Sequence, residues 1–123
     1  MSNVPPAPAQ TPSVYFLSPH ADDVVFSCGA GIASRRPDAP RPLLITAFLS
    51  GRDADVRRRE DEQAAAILRC DYRCLELPDG LDRPEINGTL GLFSPFGPQH
   101  LGITNEVVTR VLPLIRLPAI LYS

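Results

Sequence analysis

Three short apolar segments, each followed at once by a turn-forming sequence, restrict the possible folds more than any other feature of this chain. Residues 14–17 read Val-Tyr-Phe-Leu, residues 43–49 read Leu-Leu-Ile-Thr-Ala-Phe-Leu, and residues 74–77 read Cys-Leu-Glu-Leu. Runs of this kind are typical of strands that are buried on both faces, as in a parallel sheet. The sequences that end them are Ser18-Pro19, Ser50-Gly51 and Pro78-Asp79-Gly80.

Helical patterns separate these predicted strands. The first helix is expected to begin at Asp22 or Asp23 and to end near Arg36, and Gly29 within it would allow close packing on a sheet. In the second, over 56–69, residues 57–62 are expected to be largely solvated. The residues of this helix expected to face the sheet are Val56, Ala64, Ile67 and Leu68.

The last third of the chain continues the alternation of helix and strand. Residues 81–102 read as a loop, 103–116 as a helix that Pro113 breaks or kinks, and 119–122 as a fourth strand. Strands that alternate with helices predict an α/β fold with a Rossmann-like, mostly parallel sheet and flanking helices. Such sheets place their chemistry at the carboxyl ends of the strands.

Composition limits the number of domains and the classes of partner. A chain of 123 residues with 14 prolines fits a proline-rich disordered leader, residues 1–13, followed by a single domain, residues 14–123. The net charge of −2 argues against nucleic acid as a partner, and no apolar run reaches the ~18 residues of a membrane span. Without a secretory signal, and with an odd number of cysteines, the chain is expected to be cytoplasmic and without a disulfide framework.

A histidine and two carboxylates lie within four residues directly after the first predicted strand. These are His20, Asp22 and Asp23. A divalent metal would compensate their charge, because imidazole and carboxylate both bind zinc, and the second carboxylate would then be available as a general base. The alternative is that one aspartate only caps the following helix and that His20 is a partly buried loop residue.

Three segments in order resemble one known family. Residues 16–29, Phe-Leu-Ser-Pro-His-Ala-Asp-Asp-Val-Val-Phe-Ser-Cys-Gly, resemble the opening motif of the PIG-L/LmbE-like zinc-dependent N-deacetylases, in the branch written Ser-Pro-His-x-Asp-Asp-x-x-x-Ser-Cys-Gly. Residues 57–68 are similar to the family's Arg-x-x-Glu helix, and residues 75–80 to its Leu-x-Leu-x-Asp turn. Together the matches cover about residues 14 to 80.

The resemblance implies a fold, an activity and a role for five residues. The fold would be LmbE-like, and the reaction would remove the acetyl group from an N-acetylglucosamine unit of a small-molecule sugar conjugate. His20 and Asp23 would bind Zn²⁺ or another divalent metal, and Asp22 would be the general base. Arg57 and Asp79 would bind the substrate. Without the resemblance, Arg57 reads as part of a solvated charged face and Asp79 as a turn former.

The chain departs from the family pattern at two places. Ala21 and Val24 stand where the family commonly has Pro and Glu. The family's third zinc ligand comes from a His-x-x-His-like motif after a later strand, and this sequence has only His20 and His100. His100 matches no family ligand. We therefore expect a domain that is incomplete at its C-terminus, with part of its sheet uncovered and a tendency to self-associate.

Two other functions fit the same residues. One is a non-catalytic remnant or sugar-binding module that keeps the sheet without turnover. The other is a metallohydrolase that uses the same His and Asp pair on a different bond, such as an ester. Cys70 and Cys74 are spaced Cys-x3-Cys without a second pair, which argues against a structural zinc site.

Overall fold

The computed structural model of this protein describes residues 13–79 and 98–123. The strands are β1 (Ser13–Ser18), β2 (Leu43–Phe48), β3 (Asp71–Leu77) and β4 (Ala119–Tyr122). The helices are α1 (Asp23–Ala33), α2 (Ala54–Ile67), α3 (Pro98–Val111) and a 3-10 turn, Leu112–Leu114. The predicted alternation of strand and helix is confirmed for these elements.

The four strands form one sheet in the order β3-β2-β1-β4, and every neighbouring pair is parallel. This confirms the prediction of an α/β fold with a parallel sheet. Successive residues of a strand point to opposite faces, so Tyr15 and Phe16 belong to different clusters of buried side chains. The cluster of Phe16 includes Val24 of α1 and Ala65 of α2, whereas the cluster of Tyr15 includes Val111 of α3. Helices therefore cover both faces of the sheet.

The buried face of α2 differs from the predicted one. Val56 and Ile67 are 51% and 82% exposed, whereas Asp61 and Ala65 are 1% and 0% exposed. Residues four apart lie on one face of a helix, and here that face carries a carboxylate. The expectation that residues 57–62 are solvated is wrong for Asp61, because polar partners on the sheet compensate its burial.

Two predicted boundaries in the C-terminal part also shift. The helix that was expected over 103–116 begins at Pro98, a residue type that suits a first helical turn, and ends at Val111. Pro113 lies in the 3-10 turn that follows, so the break was placed correctly. Of the predicted loop over 81–102, residues 81–97 lie outside the described residues, and so do residues 1–12 of the predicted leader.

Two smaller expectations are decided by the described residues. All three cysteines are free. Gly29 is not required for close packing, since a Cβ there would meet only Val25 Cγ1, at an ordinary 3.9 Å. None of the described helices combines the length and the apolar character that crossing a membrane requires.

Candidate active site

The loops that follow β1, β2 and β3 are joined at one edge of the sheet. The amide of Phe48 donates to the Pro19 carbonyl at 2.8 Å, and the amide of Leu49 donates to the Leu77 carbonyl at 3.0 Å. The amide of Asp79 donates to Ser50 Oγ at 2.8 Å. The first loop leaves β1 beside the place where the strand order reverses, which is where open parallel sheets bind their ligands. The three loops therefore form a single candidate site.

His20 and Asp23 converge within this site. Asp23 is the first residue of α1, and its Oδ2 accepts a hydrogen bond from the His20 amide at 2.9 Å. The same oxygen lies 3.6 Å from Nδ1 of the His20 ring. The loop thus turns back on itself and brings the imidazole against the carboxylate.

The second ring nitrogen of His20 meets another carboxylate. Nε2 lies 3.1 Å from Oδ1 of Asp79, a residue 59 positions later in the chain. A carboxylate can only accept, so this hydrogen bond favours the tautomer whose hydrogen is on Nε2. In that tautomer the lone pair of Nδ1 is on the side of Asp23. The ring is also held by Phe48, whose centroid is 5.9 Å from that of His20.

The distance between Nδ1 of His20 and Oδ2 of Asp23 fits two ligands of one metal ion. Two atoms bound at ~2.0–2.2 Å to a tetrahedral zinc lie about 3.3–3.6 Å apart, and the separation here is 3.6 Å. A nitrogen lone pair and an anionic oxygen that face each other at this distance suit a divalent cation between them. Among the described residues, no group of three or more His, Cys, Asp or Glu side chains is placed to hold a metal ion.

Asp22 occupies the position before α1 in a left-handed conformation, with φ 72° and ψ −14°. Its side chain makes no capping hydrogen bond to the helix. The sequence left open whether an aspartate only caps α1. Asp22 does occupy the N-cap position, and its carbonyl accepts the Phe26 amide at 2.9 Å, but its carboxylate does not cap the helix. Instead, Ser18 Oγ accepts the Val24 amide at 3.3 Å. The Asp22 carboxylate is therefore not used to begin the helix.

A buried carboxylate that the sequence did not single out supports this loop. Asp61 of α2 accepts the Asp22 amide on Oδ1 at 3.3 Å. Its Oδ2 accepts the hydroxyls of Thr46 and Tyr72, each at 2.6 Å. The signal in the sequence was a charged residue four positions before Ala65 and seven before Leu68, on the face that packs on the sheet.

Arg57 lies near the start of α2 and is half-buried. Because α2 follows β2, it begins at the carboxyl edge of the sheet, and Arg57 is one helical turn before Asp61 on the same face. Its neighbour Arg58 points elsewhere and pairs with Glu76 of β3. Of the predicted site residues, the structure joins His20, Asp23 and Asp79 by direct contacts. Asp22 adjoins Asp23 in the chain, and its amide is bound to Asp61.

The ionisation of the surrounding groups follows from burial. Burial, together with the hydrogen bond to Asp61, raises the pKa of Tyr72 well above its usual value, so that its hydroxyl remains a donor. Burial also raises the pKa of Cys74, which lies on the same strand.

His20 is 44% exposed, Asp23 50% and Asp79 29%, so the site is open to solvent. His100 lies in α3, and its side chain is outside the described part of the chain.

Comparisons with known proteins do not identify this chain. No protein-family profile matches it, and neither the curated proteins nor the solved structures give a significant match.

Proposed function

We propose that this protein is a zinc-dependent hydrolase that removes the acetyl group from an N-acetylglucosamine-like sugar conjugate. One observation carries the proposal: an imidazole nitrogen and a carboxylate oxygen, 3.6 Å apart, face each other at the carboxyl edge of a parallel sheet. The resemblance of residues 16–29, 57–68 and 75–80 to PIG-L/LmbE-like deacetylases supports the choice of reaction.

His20 and Asp23 are the residues that would hold the metal. Asp79 has a supporting role, because a carboxylate on the far nitrogen of a ligating histidine fixes its tautomer and its orientation. Zinc, when bound, polarises a carbonyl and makes water a nucleophile at neutral pH. A catalytic zinc usually takes three protein ligands, so the proposal needs one more ligand than the described residues supply.

Asp22 is the proposed general base. It adjoins Asp23, and its carboxylate is not used to cap α1. In the reaction, Asp22 takes a proton from the water that attacks the acetyl carbonyl carbon. The carbon–nitrogen bond then breaks, the proton returns to the leaving nitrogen, and the products are acetate and the free amine. Asp22 therefore acts first as a base and then as an acid.

Arg57 and Asp79 are the proposed substrate contacts. Arg57 is at the edge of the sheet on the helix face that also carries Asp61. Asp79 accepts from His20, and a carboxylate has about four acceptor positions. In the proposal it orients His20 and, as the resemblance implies, also accepts a hydrogen bond from a sugar hydroxyl.

The proposal is tested by zinc binding and by acetate release. We expect the wild-type chain to bind Zn²⁺ and to release acetate from N-acetylglucosamine conjugates only when zinc is present. His20→Ala and Asp23→Ala should each lose zinc and activity, whereas Asp22→Asn should keep zinc and lose activity. Asp38→Asn, an exposed carboxylate paired with Arg36, is the control and should match the wild type. If wild type and both ligand variants carry equally little zinc, the proposal is wrong.

A second candidate, a sugar-binding module without turnover, is favoured by one observation. Only two donor side chains, those of His20 and Asp23, face each other at the expected metal position among the described residues. This candidate predicts sugar binding without acetate release at any zinc concentration. His100→Ala extends the test, because a loss of zinc in this variant would identify a third ligand. Acetate release from an ester but not from an amide would point instead to an esterase.

A further inference from the structure

We infer that Asp61 is a positioning residue that fixes the direction of the Asp22 carboxylate. The inference rests on the proposed function, since it assigns to Asp61 a role in presenting the general base. It concerns a residue that touches neither the metal ligands nor the reacting atoms, and it is argued from the hydrogen bonds around one buried carboxylate.

The burial of Asp61 is the first observation. The residue is 1% exposed and lies on the inner face of α2, among buried apolar side chains such as Ala65. A carboxylate is rarely buried in this way unless hydrogen bonds or charges compensate it. Here three donors do so, namely the hydroxyls of Thr46 and Tyr72 and the amide of Asp22.

The two oxygens of Asp61 have different partners, and this division suggests the role. Oδ2 accepts both hydroxyls at 2.6 Å. Thr46 is on the central strand β2 and Tyr72 on the edge strand β3, so these two hydrogen bonds fix the carboxylate to the sheet. Oδ1 is then directed at the loop after β1, where it accepts the Asp22 amide at 3.3 Å. One end of the carboxylate is thus anchored in the sheet and the other end holds the loop.

The conformation of Asp22 is the reason that the loop needs such a partner. Its φ of 72° lies in the left-handed region, which residues other than glycine adopt infrequently. That conformation decides where the Asp22 side chain points relative to Asp23. The Asp22 amide in this conformation points at Oδ1 of Asp61, which accepts it at 3.3 Å. Asp61 therefore stabilises the conformation that keeps the Asp22 carboxylate away from the helix cap.

A merely structural role would give a different result. If Asp61 only attached α2 to the sheet, its loss would reduce stability, and the loop after β1 would keep its conformation. Any other variant that weakens the packing of α2 on the sheet by a similar amount would then have the same effect on stability and on kcat as the loss of Asp61. Tyr72→Phe is the matched comparison, because it removes a donor from Oδ2 and leaves Oδ1 in place.

The experiment compares Asp61→Asn, Asp61→Ala and Tyr72→Phe in the full chain, with Asp71→Asn as an exposed carboxylate control. Three kinds of measurement are made: Zn²⁺ affinity by chelator competition, the kinetics of acetate release as kcat and KM, and the amide resonance of Asp22 by NMR. We expect Asp61→Ala to lower kcat about 10- to 100-fold, with KM and zinc affinity within about twofold of wild type. Asp61→Asn is nearly isosteric, so it provides a folded variant even if Asp61→Ala does not fold. We expect Asp61→Asn to lower kcat by a smaller factor.

The NMR measurement separates this inference from the proposed function. Whether or not the wild type releases acetate, both Asp61 variants should shift the Asp22 amide resonance more than Tyr72→Phe does. If acetate release fails but this shift is seen, the positioning of Asp22 stands and the proposed reaction is wrong. If a folded Asp61→Asn leaves the Asp22 resonance and kcat at wild-type values, the inference is overturned. It is equally overturned if Tyr72→Phe produces the same changes.

Discussion

Replacing Asp79 by alanine tests whether this residue orients the proposed zinc ligand His20. The substitution removes the acceptor that lies 3.1 Å from Nε2 of His20 and leaves Nδ1 and the Asp23 carboxylate unchanged. Without that acceptor, the ring loses its preference for the tautomer whose Nδ1 lone pair is on the side of Asp23. We therefore expect zinc to bind more weakly even in the absence of any substrate.

The size of the effect follows from the exposure of the pair. Loss of a carboxylate that orients a ligating histidine weakens metal binding by about 10- to 100-fold, or roughly 1.4–2.8 kcal/mol. His20 and Asp79 are 44% and 29% exposed, so water screens part of their interaction. We therefore expect a weakening near the lower end, about tenfold.

The assay is competition for Zn²⁺ against a chromophoric chelator, with the nitrogen shifts of His20 recorded by NMR. Ser50→Ala is informative, since it removes the hydroxyl that accepts the Asp79 amide and should weaken zinc binding by a smaller factor. Asp38→Ala should leave binding unchanged. If Asp79→Ala leaves zinc affinity and the His20 tautomer at their wild-type values and only raises KM, Asp79 is a substrate contact and the reasoning about orientation is refuted.

Three further predictions concern packing and ionisation. Gly29→Ala should stabilise the protein by about 0.5–1 kcal/mol in urea denaturation, because the new methyl meets only Val25 at an ordinary distance; a loss of stability would mean that the α1 backbone is closer to the sheet than described. Ile67→Gln should change stability by less than about 0.5 kcal/mol, whereas Ala65→Leu should reduce it by about 1–3 kcal/mol. If Ile67→Gln were instead the more destabilising of the two, the helix face predicted from the sequence would be the buried one. The raised pKa of Tyr72 means that the folded state retains a proton that the unfolded state loses, so its contribution to stability is complete below about pH 10 and is lost as the pH rises. Since the chain has no lysine, the free energy of unfolding should fall with pH between about pH 10 and 11 less steeply in Tyr72→Phe than in the wild type, by roughly 1 kcal/mol per pH unit. An unchanged slope would contradict the burial of this hydroxyl.

Much of the fold could be predicted from local patterns, because strands and helices differ in the period of their apolar residues. The apolar runs at 14–17 and 43–49 gave strands within one or two residues of their observed bounds. The cluster at residues 20–23 could also be located, since parallel strands carry their functional loops at their carboxyl ends. These inferences need only neighbours along the chain.

The remaining features depend on contacts between residues that are distant in the sequence. They join positions up to about a hundred residues apart in the sequence. Examples are the pairing of β4 with β1, the hydrogen bond between His20 and Asp79, and the hydrogen bonds of Asp61 to its three partners. The face of α2 was mistaken for the same reason: a periodic count treats Asp61 as solvated, whereas Thr46 and Tyr72 make its burial favourable. A carboxylate's environment is set by the donors that folding brings to it, and the spacing of residues along the chain does not specify them.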